Sequence, residues 1–103
     1  MAYKLLVTEA AHEDLDEALG YIALQLSNPA AAANLLGQVE QCYEQLKQFP
    51  FLYEKCRDPR LFRSGYHKVS IGNYIMIYHP LEETRTVYIL RFLYGGRDYE
   101  NMI

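Results

Sequence analysis

The sequence predicts an α+β fold: an N-terminal strand and an antiparallel helix hairpin pack on one face of a mostly antiparallel sheet, which a C-terminal three-stranded meander completes. Two stretches in the first half have apolar residues every three or four positions, which indicates amphipathic helices. Short alternating segments between turn residues indicate strands in the second half. Because one sheet can bury both helical stripes, we expect a single domain over residues 1–103.

The first half is predicted to contain one strand and two helices. Residues 3–7 form a β-rich run that stops at Thr8, a good N-cap residue for the helix whose apolar stripe spans residues 11–26. The chain then breaks and restarts, since Asn28 can cap a helix and Pro29 is favoured at its first position. So short a connection predicts an antiparallel hairpin.

The segment 51–65 has no periodicity and is predicted to be a loop that crosses from the second helix to the sheet. We expect Leu52 and Phe62 to anchor it. A loop of about fifteen residues in a small domain is long enough to suggest a function. Its cations are Lys55, Arg57, Arg60 and Arg63.

The second half is predicted to form the meander. Residues 66–71 alternate, residues 72–73 are a Gly-Asn pair that fits a two-residue hairpin turn, and residues 74–78 form the next strand. A longer turn over residues 79–85 leads into the last strand, residues 86–94.

The last strand is apolar on both faces. Simple alternation places Val87, Ile89, Arg91 and Leu93 on one face and Tyr88, Leu90, Phe92 and Tyr94 on the other. A strand of this kind is central, and the face that the helices leave bare needs another cover. We expect that cover to be another chain, either a partner protein or a second copy in a homodimer.

Composition and cysteine usage favour an ordinary cytoplasmic globular protein. Apolar residues make up 50% of the chain and charged residues 22%, with ten tyrosines and no tryptophan. No stretch approaches the roughly 20 apolar residues of a membrane span, and the N-terminus does not resemble a signal peptide. Cys42 and Cys56 lack any ligand or disulfide spacing, so we expect two reduced thiols, no metal and no cofactor.

Charge is distributed unevenly along the chain. The net charge is −3, with −6 in residues 1–54 and +3 in residues 55–103. Nucleic acid or another acidic partner is therefore expected at the second half. The acids of the first helix are expected mainly to keep its outer face solvated.

Two groups of residues could carry chemistry. Arg91 lies inside an apolar strand and Arg97 follows its glycine turn, so each needs an anion: a phosphate, a partner's carboxylate, or an acid of this chain, either Asp98 or a helix acid. The second group is Arg63, Tyr66, His67 and Lys68, in which His67 should point away from Tyr66 and Lys68 and is interpreted as structural. Any catalysis would use cations to stabilise a phosphate while a Tyr, Lys or His moves a proton.

Three strings, in this order, resemble one protein family. They are N-P-A-A-A-x-N-L-L, G-Y-H-K-V-S-I-G-N-Y-I-M-I-Y and R-F-L-Y-G-G-R-D-Y-E-N-M-I. Together they resemble the RelE/ParE superfamily of type II toxin–antitoxin toxins, in its ParE-like branch. The resemblance implies a bacterial, plasmid-stabilising toxin that inhibits growth and is neutralised by a small antitoxin wrapped around it.

The resemblance leaves three functions open. ParE-like members block DNA gyrase, RelE-like members cleave mRNA on the ribosome, and a third alternative is a non-toxic relic that only binds antitoxin. Whether the chain is an enzyme therefore stays open.

The nuclease pattern matches this chain only in part. It implies Lys68, Arg97 and Tyr99 as catalytic residues if the chain is a nuclease, but Ile75 and Gly96 replace cations found in the family. The residues expected to bind the target or the antitoxin are Arg91, Arg97, Arg63, Tyr94 and Phe92.

Overall fold

A four-stranded sheet carries a pair of helices on one face in the computed structural model, which describes residues 2–95 and 98–103. The strands are β1 (Lys4–Val7), β2 (His67–Ile71), β3 (Tyr74–Leu81) and β4 (Thr86–Tyr94). The helices are α1 (Glu9–Gly20), α2 (Pro29–Gln48) and α3 (Pro59–Arg63), with a π-helical turn at Tyr21–Gln25 and a 3-10 turn at Tyr99–Asn101.

The strand order is β1-β4-β3-β2, so the last strand is central, as predicted. β1 pairs with β4 in parallel, while β2, β3 and β4 form the antiparallel meander. The predicted α+β class and the order of its elements are confirmed. Within the described residues, no helix is long and apolar enough to cross a membrane.

Both long helices begin where their capping residues predict. The Thr8 hydroxyl accepts a hydrogen bond from the Ala11 amide at 3.2 Å, and the Asn28 side chain accepts one from the Ala31 amide at 3.1 Å. Pro29 occupies the first turn of α2, where its missing N–H costs nothing. Between the helices Ser27 adopts a left-handed φ of 50°, which closes the hairpin.

The inner face of the sheet packs on the helix hairpin to form the main core. Val39 and Leu46 of α2 lie against Met76 and Ile89 of the sheet, and all four are completely buried. Ala11, Leu15 and Ala18 form the buried stripe of α1. The predicted helical stripes thus meet one sheet face, as their spacing requires.

A β-bulge changes which residues of β4 share a face. Ile77 lies opposite Arg91 and Tyr78 opposite Ile89, so Leu90 is an extra residue in β4. Phe92 consequently joins Ile89 in the inner core. The prediction that simple alternation holds along this strand is wrong, since a bulge shifts the period by one residue.

The outer face of the sheet is covered by the chain itself. Cys56, Leu61 and Ile77 are fully buried there, and Tyr99 and Ile103 of the C-terminal segment pack against them. The expectation that another chain must cover this face is therefore wrong. Sequence reasoning did not predict that the last residues of the chain fold back across the strand.

The predicted loop contains a short helix with different anchors from those expected. The Asp58 side chain accepts hydrogen bonds from the Arg60 and Leu61 amides and so caps α3. Leu61 is buried, whereas Leu52 and Phe62 are 54% and 50% exposed. The choice of Leu52 and Phe62 as anchors was wrong, because the helical turn directs Leu61 inward.

The second hairpin turn is shorter than predicted, since β3 continues to Leu81. Pro80 lies in β3 opposite Val87. β2 pairs with β3 only as far as Tyr78, so the other edge of β3 is open at Pro80. A proline is tolerated at such an edge because no partner strand needs its N–H.

The two cysteines lie on opposite faces of the sheet. Cys42 belongs to the inner core and Cys56 to the outer cluster, and both thiols are free. Burial raises the pKa of Cys42 to about 11, which leaves its thiol protonated and unreactive at neutral pH.

Tyr78 carries a buried hydroxyl that makes no hydrogen bond of good geometry within the described residues. Burial raises the pKa of this phenol, and the backbone of Tyr53 lowers it by a smaller amount. Replacing Tyr78→Phe should therefore leave the free energy of unfolding unchanged or raise it by about 1 kcal/mol, since an unsatisfied polar group is removed. Urea unfolding followed by circular dichroism measures the change. Tyr53→Phe is the matched control, because the Tyr53 hydroxyl donates to Gln45 at 3.1 Å. A loss of more than about 1 kcal/mol for Tyr78→Phe contradicts the prediction.

Candidate functional site

Arg91 forms a two-pronged ion pair with Asp14 of α1. Its Nε donates to Asp14 Oδ2 at 2.7 Å and a terminal nitrogen donates to Oδ1 at 3.0 Å. The side chains are only 25% and 14% exposed. This hydrogen bonding raises the pKa of Arg91, so its charge is permanent and matched. Of the anions considered for Arg91, the structure thus supplies a helix acid of the same chain.

Asp14 also accepts a hydrogen bond from the backbone of β4, in the part of the strand that does not pair with β1. β1 ends at Val7, opposite Ile89. Beyond that point the Thr8 hydroxyl donates to the Leu90 carbonyl at 3.0 Å, and Asp14 Oδ2 accepts from the Phe92 amide at 3.0 Å. The beginning of α1 therefore takes over the role of the missing strand.

Two arginines hold the C-terminal segment, residues 98–103, against the outer face. A third nitrogen of Arg91 donates to the Met102 carbonyl at 3.1 Å. Arg60 of α3 donates to the carbonyls of Ile103, at 3.0 Å, and of Glu100. Both guanidinium groups are thus used within the chain, which reduces the cationic surface offered to a target.

Lys68 and Tyr99 are brought together by this arrangement. The Lys68 ammonium lies 3.5 Å from the Tyr99 hydroxyl, at the long limit of a hydrogen bond. These two belong to the set that the family resemblance implies for a nuclease. Arg97 and Gly96 lie outside the described residues, so the prediction for Arg97 rests on the sequence.

The remaining predicted binding residues differ in exposure. Arg63 ends α3 on the surface. Tyr94 is 51% exposed and meets the ring of Tyr74 edge-on, with ring centroids 5.8 Å apart. Phe92 is only 3% exposed and stacks on Tyr74 at 4.9 Å. Its side chain thus belongs mainly to the core, and its part in partner binding stays a prediction.

His67 is structural, as its alternation with Tyr66 and Lys68 indicates. It is buried on the inner face, where Nδ1 lies 2.8 Å from the Tyr53 carbonyl. Burial lowers its pKa, so the ring is neutral at physiological pH. The rings of Phe51 and Tyr78 pack beside it.

Sequence reasoning missed Asp14, although a signal was present. Asp14 follows the buried Ala11 by three positions and precedes the buried Ala18 by four, so it lies on the apolar side of α1. An acid in that position requires a partner, and the apolar last strand contains one arginine. That pairing could have been predicted from helical spacing.

The fold is that of a small α+β protein whose central strand carries an arginine paired with a helix acid. The sequence profile of the ParE toxin of the type II toxin–antitoxin system, parDE, matches residues 5–99. The chain therefore belongs to the ParE toxin family, within the RelE/ParE superfamily. No curated protein matches the sequence at a significant level.

Solved structures share this fold. One is the toxin–antitoxin complex RelBE2 from Mycobacterium tuberculosis, with 24% identity, a TM-score of 0.63, and coverage of 91% of this chain and 99% of that one. A chromosomal ParDE system from P. aeruginosa has 17% identity, a TM-score of 0.67, and coverage of 90% and 96%. A mutant of the E. coli toxin RelE in the free state has 17% identity, a TM-score of 0.69, and coverage of 99% and 93%.

The Asp14–Arg91 pair is expected to be important for stability. Arg91→Ala should lower the free energy of unfolding by about 2 kcal/mol, because it leaves a poorly hydrated carboxylate without its cation. Asp14→Ala should cost about 3 kcal/mol, since it also frees the Phe92 amide. A double-mutant cycle by urea unfolding measures the coupling, which we expect to exceed about 1 kcal/mol.

The matched control for this cycle is the exposed ion pair of Lys47 and Glu44. The Lys47 ammonium nitrogen lies 2.7 Å from a Glu44 carboxylate oxygen. Its coupling should stay below about 0.5 kcal/mol because solvent screens it. Equal coupling in the two cycles would contradict a structural role for Asp14 and Arg91.

Proposed function

We propose that this chain is the growth-inhibiting toxin of a plasmid-stabilising toxin–antitoxin module and acts in the bacterial cytoplasm. The observation that carries the proposal is the family match over residues 5–99, which spans the sheet, both long helices and the end of β4. Its partner is a small antitoxin that neutralises it.

We propose DNA gyrase as the target. Recognition of ribosomal RNA would rest on many cation–phosphate contacts. Here Arg91 is paired with Asp14, Arg60 holds the C-terminal carbonyls, and the whole chain carries a net charge of −3. A protein target fits this small number of free cationic side chains better than RNA does. The proposed contact residues are Arg97, supported by Arg63 and Lys68.

The antitoxin is proposed to cover apolar surface that the chain leaves exposed. The tip of the helix hairpin exposes Tyr21, Leu24 and Leu26 by 52%, 78% and 56%. At the other end of α2, Phe49 and Phe51 are 62% and 53% exposed. Patches of this kind at two ends of one element suit a partner that wraps the molecule, and fit it better than a homodimer does.

One observation favours ribosome-dependent mRNA cleavage as a second candidate. The Lys68 ammonium and the Tyr99 hydroxyl lie 3.5 Å apart, at the long limit of a hydrogen bond. A positioned lysine and tyrosine could support proton transfer and stabilise a phosphate. In this candidate Arg97, Lys68 and Tyr99 are the catalytic residues.

Expression of the wild-type chain without antitoxin should stop bacterial growth, and Arg97→Ala should restore it. The matched control is Arg85→Asn, which removes an arginine from the turn after β3, where asparagine tolerates the left-handed φ of 50°. Arg85→Asn should remain toxic. If the wild type leaves growth unchanged while it binds its antitoxin, the chain is a non-toxic relic and the proposal fails.

The same cells separate the two targets. Induction of the DNA-damage response with intact mRNA supports gyrase, whereas codon-phased cuts found by primer extension support the nuclease. Tyr99→Phe should then remain toxic if gyrase is the target, because Tyr99 has a part only in the nuclease candidate. Loss of toxicity in Tyr99→Phe, together with codon-phased cuts, would contradict the gyrase proposal.

A further inference from the structure

A groove of about 420 Å³ lies between α1 and the exposed end of β4. Asp14, Glu17 and Tyr21 line it from α1 and the turn that follows, and Tyr74 and Tyr94 line it from the sheet. Among the residues that the structure describes, no lysine or arginine lines it. The groove is therefore aromatic and acidic, unlike the basic second half of the sequence.

The tyrosine rings of the groove are accessible. Tyr21 and Tyr94 are 52% and 51% exposed, and Tyr94 is held edge-on against Tyr74. The face of an aromatic ring attracts a cation, particularly one that is partly desolvated. Together these rings offer a preformed surface to an ammonium or guanidinium group.

Glu17 supplies the negative charge of this groove. Asp14 is already matched by Arg91, so its carboxylate adds little net field. Glu17 lies one turn further along α1, is exposed, and forms no ion pair among the residues that the structure describes. A basic side chain that entered the groove would therefore find one unmatched carboxylate beside aromatic faces.

The edge of β4 that borders the groove is partly open. The Gly95 amide donates to the Asn73 carbonyl at 2.8 Å, so alternate residues back from Gly95 bond to β3. Phe92 and Tyr94 then direct their backbone groups away from β3. Asp14 takes the Phe92 amide, while no hydrogen bond within residues 2–95 and 98–103 takes the outward backbone groups of Tyr94, so an extended partner segment can pair there.

We propose that this groove binds a lysine or arginine side chain from an extended segment of the antitoxin. The cation lies against the tyrosine rings and pairs with Glu17, and the backbone of the segment runs along Tyr94. Charge complementarity selects this occupant, since the acidic groove would disfavour an acidic segment. The identity of the segment as antitoxin rests on the proposed function, whereas the preference for a cation rests on the groove alone.

The groove is tested first without any antitoxin, on full-length chain made by cell-free synthesis. The probe is N-acetyl-arginine N-methylamide, followed by ¹⁵N and ¹³C NMR shifts, and N-acetyl-norleucine N-methylamide is the uncharged comparison. We expect saturable shifts at Tyr94, Tyr21 and Glu17 with the arginine probe, and at least about fivefold weaker binding of norleucine.

Variants separate the contributions of charge and ring. Glu17→Gln and Tyr94→Ala should each weaken the arginine probe about fivefold, while Tyr94→Phe, which keeps the ring, should bind like the wild type. Glu40→Gln on the exposed side of α2 is the matched control and should have no effect. Equal binding of both probes, or unchanged binding by Glu17→Gln, overturns the proposal.

A second arm uses the product of the adjacent antitoxin gene. We expect Glu17→Gln to weaken the complex about tenfold relative to Glu40→Gln, as measured by calorimetry. An antitoxin that binds the wild type and Glu17→Gln equally overturns the groove's role and leaves the proposed function intact. If the gene product does not bind the wild type at all, the proposed function fails, and the arginine probe still decides whether the groove prefers a cation.

Discussion

The carboxylate of Asp14 joins parts of this structure that are far apart in the sequence. It accepts two hydrogen bonds from Arg91 and one from the Phe92 amide, each at 2.7–3.0 Å. An arginine within an apolar strand and a strand edge without a neighbour would each be costly, and one acid satisfies both needs. The helix hairpin, the central strand and, through Arg91, the C-terminal segment thus depend on one side chain.

This arrangement explains why the most prominent cation of the last strand is a poor candidate for target binding. Arg91 supports the fold and Arg60 secures the end of the chain, so the cations left for a target are few. The acidic total charge is consistent with a toxin directed at a protein, and it makes extensive contact with RNA phosphates harder to account for. The proposed antitoxin surface is formed by the exposed apolar residues at both ends of the hairpin.

Most of the fold could be predicted from local signals, whereas the site could be predicted only in part. Thr8 and Asn28 cap helices and the Gly72-Asn73 pair turns a hairpin, because these effects act within a few residues. The bulge at Leu90 and the return of Ile103 onto the sheet depend on contacts between distant parts of the chain. Periodicity therefore misplaced Phe92 and suggested an open outer face. The family resemblance implies Lys68 and Tyr99 as catalytic residues. Only the three-dimensional structure shows that these two side chains lie close together.

Amide hydrogen exchange at Phe92 tests most directly whether Asp14 replaces the missing strand at the edge of β4. Tyr94 provides the internal reference, since its amide, like that of Phe92, points away from β3. The account predicts that the Phe92 amide exchanges at least about 100-fold more slowly than that of Tyr94, and that Asp14→Asn removes most of the difference. Equal exchange at Phe92 and Tyr94 in the wild type would contradict the central role of Asp14.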